Sequence, residues 1–177
     1  AGLLQYELQY ENNRLVRMWN NTLVNKDTLV YNYAGNIVET IDLVEPGTGI
    51  TKTVELIYEG QQQLKELRWK KLNVDFSTSL LRKLLFRYDD RGNLAEYQDH
   101  RNLGNGLELL KTHYFDQYDS QTNVENNYLI KDVFEHFLFL PQIQLQKNNP
   151  LRERIVGKEN DWAIEYGYTF NNALPTT

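Results

Sequence analysis

At 177 residues, the chain has the length of one domain with a continuous core. Hydrophobic residues make up 41% and charged residues 24%, an ordinary globular composition. The net charge of −5 speaks against a nucleic-acid binder, which needs a basic surface. The absence of cysteine excludes disulfides and thiolate metal sites.

No apolar run approaches the roughly twenty residues that cross a bilayer as a helix. The opening residues, AGLLQYELQY, lack signal-peptide character and enter a strand pattern at once, as expected of a processed or truncated chain. Twelve tyrosines stand beside seven phenylalanines and three tryptophans. A tyrosine joins an apolar ring to a wet hydroxyl, so this abundance favours half-buried β-structure.

In chain order, the same strand pattern recurs. Tyr6-x-Leu8-x-Tyr10, Leu29-x-Tyr31-x-Tyr33, Val54-x-Leu56-x-Tyr58, Leu84-x-Phe86-x-Tyr88 and Ile164-x-Tyr166-x-Tyr168 each place their side chains on one strand face. An apolar residue resumes shortly after each last tyrosine, at Leu15, Ile37, Leu64, Leu94 and Leu174. The links ENNR, AGN, EGQQQ, DDRGN and TFNNA are rich in Asn, Gly and Asp, the chemistry of tight turns. A weaker copy, Tyr118-Asp119 to Asn123-Val124, matches Tyr88-Asp89 to Asn93-Leu94. The spacing predicts successive β-hairpins. Asp89 and Asp90 fall where other copies carry Asn, Gly or Gln, so DDRGN reads as a turn and not as a metal loop.

Tyr88-Asp89-Asp90-Arg91-Gly92-Asn93-Leu94, Tyr118-Asp119, Asn148-Asn149-Pro150 and the stretch from Tyr166 to Pro175 resemble YD-type (Rhs-like) repeats. More closely, the chain resembles secreted or lipid-anchored Bacteroidetes proteins that carry degenerate copies of this element. Asp follows the tip tyrosine in only some copies, and Gly is missing from others. The resemblance implies a cell-envelope location, at the periplasm or outer-membrane surface, with membrane attachment only through a lipid anchor upstream of this chain. It implies no catalytic residue and no cofactor.

Between Val124 and Leu140 the period changes. Ile130, Val133, Phe134, Phe137 and Leu138 fit one helix face, Asn123 or Asn126 suits its cap, and Pro141 ends it. The rival reading takes Phe137-Leu138-Phe139-Leu140 as a buried strand. The expected architecture is mainly β, a single domain over residues 1–177. It is an antiparallel hairpin meander forming a curved sheet or open half-barrel, with one helix at about 124–140 packed on it.

Candidate chemistry is sparse. His100 and His113 flank one predicted hairpin and, with Asp99 or Asp116, have the composition of a metal or acid–base site. The plainer reading places them on the surface near loop ends, and His136 at the edge of the predicted helix. Glu39, Glu66 and Glu96 recur after the resuming apolar position, as glycosidase carboxylates would if they converged. A row of carboxylates is equally at home on a solvated sheet face among basic neighbours. Trp19, Trp69 and Tyr97 occupy related places in the return strands; facing outward they form a strip for a ligand, and facing inward they are core. Nucleotide, metalloprotease and serine-hydrolase fingerprints are absent. The expected function is a non-enzymatic envelope module that binds or supports a polysaccharide, peptide or protein partner. The alternatives are a carrier of a hydrophobic ligand in an open barrel and a carboxylate-dependent hydrolase.

Overall fold

The computed structural model of the protein describes residues 5–20, 27–60, 63–123, 128–131, 137–158, 160–171 and 174–175. The described residues contain strands and turns and no helix. They form β1 (Tyr6–Glu11), β2 (Arg14–Asn20), β3 (Thr28–Ala34), β4 (Ile37–Glu45), β5 (Gly49–Glu59), β6 (Gln63–Leu72), β7 (Thr78–Tyr88), β8 (Leu94–Asn102) and β9 (Leu107–Thr122). After these come β10 (Tyr128–Lys131), β11 (Phe137–Leu140), β12 (Asn148–Gly157), β13 (Asp161–Glu165), β14 (Phe170–Asn171) and β15 (Leu174–Pro175). One antiparallel sheet of 11 strands follows chain order from β1 to β9, then takes β12 against β9 and ends at β13. It is not closed. The pairs β10–β11 and β14–β15 form small sheets of their own.

The meander expected from the tyrosine pattern is therefore present, and the helix is not. In place of a helix over 124–140, Ile130 pairs across a hairpin with Leu138, and Tyr128 with Leu140. An apolar residue at both 130 and 138 satisfies a helical stripe and a hairpin register equally well. The alternation of buried Leu138 and Leu140 around Phe139 decides for the strand. Residues 124–127 and 132–136, with His136 and the proposed cap Asn126, lie outside the described residues.

The chain divides into two compact units, Ala1–Ile57 with Leu67–Arg82, and Tyr58–Glu66 with Lys83–Thr177. In the first, buried side chains line up across strands. Met18 stands opposite Leu29 and Leu29 opposite Leu43, while Tyr31 stands opposite Ile41 and Ile41 opposite Val54. The return strands β2 and β4 each begin with a bulge. Tyr10 pairs with Leu15 but Gln9 with Arg17, and Tyr33 pairs with Val38 but Asn32 with Thr40. The extra residues, Val16 and Glu39, shift the alternation by one. That shift lets Leu15 and Met18, and likewise Val38 and Ile41, face the core despite their odd spacing. The residue that resumes the pattern in β4 is thus Val38 and not Ile37.

The second unit carries the remaining apolar core, with Leu64, Leu84, Phe86, Leu94 and Phe115 buried on the sheet. Leu138, Leu140, Ile143 and Leu145, from the segment before β12, are also buried.

Three of the tip tyrosines share a task. Tyr33 donates its hydroxyl to the Leu15 carbonyl at 2.9 Å, Tyr88 to the Leu64 carbonyl at 2.7 Å and Tyr118 to the Leu94 carbonyl at 2.6 Å. In each case the acceptor is the apolar residue that resumes the pattern after an earlier turn. A buried carbonyl without a donor is costly, and the hydroxyl at the far end of the ring removes that cost. The aspartate after the tyrosine shapes the turn. Asp89 Oδ1 accepts from the amides of Arg91 and Asn93, and the Gly92 amide donates to the Asp89 carbonyl. Gly92 takes φ +84°, which a side chain would resist. Burial pushes the Asp89 carboxyl up most strongly, but the hydrogen bonds and the Arg91 charge together hold it below its ordinary value. Asp119 repeats the device, accepting at Oδ1 from the amides of Gln121 and Asn149.

Asn93, fully buried, completes the turn as a latch. Its Oδ1 accepts from the amides of Lys147 and Asn148, both at 2.8 Å, and its Nδ2 donates to Asn148 Oδ1 at 3.0 Å. The Leu94 amide reaches the Leu145 carbonyl, and the Asn123 amide reaches the Lys147 carbonyl. The Asn of each YD turn therefore fastens the segment that leads into β12.

Candidate functional site

A cluster of polar and aromatic side chains lies in the second unit, on one face of β8, β9, β12 and β13. Register places Tyr97 opposite His113, His113 opposite Ile155 and Ile155 opposite Trp162. One row along, Phe115 stands opposite Glu153 and Glu153 opposite Ile164. The Tyr97 ring stacks on the His113 imidazole, with centroids 4.0 Å apart and planes 14° off parallel. Phe86 and Phe115 flank the same tyrosine. His113 Nδ1 meets Glu153 Oε1 at 2.5 Å, and Tyr166 donates its hydroxyl to Glu153 Oε2 at 2.5 Å. Tyr166 is brought there by its amide, which donates to the Leu151 carbonyl just beyond the end of β13.

Glu153 is only 8% exposed. Burial, the largest influence, raises its pKa, yet the hydrogen bonds from His113 and Tyr166 and the His113 charge together bring it below the ordinary carboxylate value. Both oxygens are occupied, so the carboxylate is held ionised and is unsuited to act as a general acid. Its chemical capacity is to orient the imidazole. A retaining or inverting glycosidase site needs a second carboxyl, one of the two kept protonated, and neither condition appears in this cluster. Among the described residues, no group of three or more His, Asp or Glu is arranged to hold a metal ion.

The residues singled out in the sequence are dispersed. His113 is in the cluster, but His100 is not beside it: His100 pairs with Leu109 past a bulge and contacts Gln98 at 3.1 Å. Burial, then Lys83, lowers the His100 pKa and disfavours its charged form. Asp99 is buried and accepts from Arg101 at 3.0 Å, while Asp116 is exposed. Glu39 is the exposed bulge residue of β4. Glu96, buried, pairs with Arg87 at 2.6 Å. Glu66 is half-buried on β6.

Of the aromatic residues, Trp69 is core, 1% exposed, with the Arg82 guanidinium 4.8 Å from its ring centre. Its indole N–H has no hydrogen-bond partner among the described residues. Trp19 is half-buried and adjoins Met18, so it points to the face opposite the buried set. Tyr97 is half-buried in the stack on His113.

Sequence reasoning named Tyr166 only as a repeat tyrosine and did not single out Glu153 or Trp162. The alternation Glu153-Arg154-Ile155 held a usable signal, because it puts a carboxylate on the same strand face as a core isoleucine. Trp162 is 44% exposed on the edge strand, with the Lys111 ammonium 5.7 Å from its ring centre. No protein-family model and no curated protein matches the chain.

Proposed function

We propose that the protein is a non-enzymatic module of the cell envelope that binds or supports a polysaccharide, peptide or protein partner. The observation that carries this reading is the use of its polar groups. Tip-tyrosine hydroxyls cap carbonyls, the YD aspartates close turns, Asn93 latches a neighbouring segment, and both oxygens of Glu153 are engaged. Groups committed in this way stabilise hairpins and leave little for acid–base work. The exposed Trp162, on the edge strand and beside Lys111, is an aromatic surface suited to meet a partner. The envelope location rests on the likeness to YD-repeat proteins.

The test is a panel of chromogenic glycosides and esters offered to wild type and to His113→Asn in parallel. The expected result is no turnover by either protein, with His113→Asn losing thermal stability. Turnover that His113→Asn abolishes while the fold survives would overturn the reading in favour of a hydrolase.

A further inference from the structure

The turn between β6 and β7 presents side chains that the fold does not use. Val74 is fully exposed and Phe76 is 84% exposed, with Leu72 beside them at 36%. Phe76 sits at φ +63°, a conformation bulky side chains rarely adopt and one that turns here otherwise give mostly to Gly and Asn. Around it the backbone is held firmly. The Asn73 amide donates to the Ser77 carbonyl and the Phe76 amide to the Asn73 carbonyl. Asn73 Nδ2 donates to the hydroxyls of Ser77 and Ser79, and Asp75 accepts from both the amide and the hydroxyl of Ser77. The result is a convex, preorganised tip bearing two apolar side chains.

One exposed cation stands beside this tip. Of the others on these strands, Lys70 is bound to Glu55 and Arg82 is buried over the Trp69 ring. Lys71 is exposed next to Leu72, whereas the Asp75 carboxylate is turned into its bonds with Ser77. In the same unit, Ile50 is 46% exposed beside the β4–β5 turn, which emerges at the same end because the chain reverses at every strand. A convex apolar point beside an exposed lysine needs no complementary pocket to be buried if its partner is fluid.

We propose that the β6–β7 tip is a membrane-contacting wedge, with Val74 and Phe76 entering the interface of an anionic bilayer and Lys71 meeting its headgroups. The contact is peripheral and reversible, because a pair of side chains buries little area and the electrostatic attraction is screened by salt.

Flotation of the protein with vesicles tests it, comparing phosphatidylcholine alone with phosphatidylcholine containing phosphatidylglycerol. Wild type is expected to float with the anionic vesicles and to be released by added salt. Val74→Ser/Phe76→Ser is expected to lose about tenfold in partition while melting as wild type does, since neither side chain packs against the fold. Phe76→Gly supplies a second arm: it relieves the backbone and removes the wedge, so binding falls although stability does not. No flotation of wild type with either vesicle, binding that survives both variants, or equal binding to neutral vesicles would each overturn the proposal.

Discussion

Replacing Asn93 by alanine removes one buried side chain and disconnects two stretches of chain more than fifty residues apart. The amides of Lys147 and Asn148 lose their shared acceptor, and Asn148 Oδ1 loses its donor. An orphaned buried donor costs about 1–3 kcal/mol, and the space left by the amide adds about 1 kcal/mol. Lys147 is exposed, so water reaches its amide more readily than that of Asn148. This places the loss at about 2–4 kcal/mol, a large share of the roughly 5–15 kcal/mol that holds a domain folded. Urea unfolding followed by circular dichroism measures the loss, and native-state hydrogen exchange localises it to the amides of Lys147 and Asn148. A change within about 0.5 kcal/mol, the ordinary range for a surface substitution, would refute the latch, as would unaltered exchange at those amides.

The acid limb of stability tests the Glu153 cluster. Its folded pKa lies below the ordinary 4.5, so its stabilisation is complete above that value and disappears as the pH falls through the depressed one. Thermal melts across the acid range should fall more steeply for wild type than for Glu153→Gln, and parallel curves would contradict the assignment. At Phe76 the opposite sign is expected. Relieving a left-handed bulky residue gains about 1–2 kcal/mol, and the added freedom of glycine in the unfolded chain takes back about 0.5–1 kcal/mol. Phe76→Gly should therefore be more stable by about 0.5–1 kcal/mol in urea, and a loss would mean that the ring packs against the fold.

Hairpins and turns were legible because each is written locally, in alternation and in Asn, Gly and Asp between strands. What was not legible depends on contacts distant in sequence. The bulge at Glu39 exchanges Ile37 for Val38 as the buried residue, and only pairing with β3 reveals it. Ile130 and Leu138 satisfy a helical stripe and a hairpin register alike, so period alone misassigned that segment. The Asn93 latch and the meeting of His113 with Glu153 and Tyr166 join residues 13 to 55 positions apart. In Trp69 and Trp19, neighbours in the repeat pattern take opposite fates: one is core and the other faces away from the buried set.

The tyrosine ladder is the feature on which the repeat rests, and unfolding of the triple variant Tyr33→Phe/Tyr88→Phe/Tyr118→Phe probes it most directly. Each lost hydroxyl leaves a leucine carbonyl short of a donor, so the triple should lose about 3–5 kcal/mol. Tyr10→Phe, at a ring 55% exposed, should change stability by less than about 0.5 kcal/mol. A triple variant as stable as wild type would show that the hydroxyls cap nothing the fold depends on.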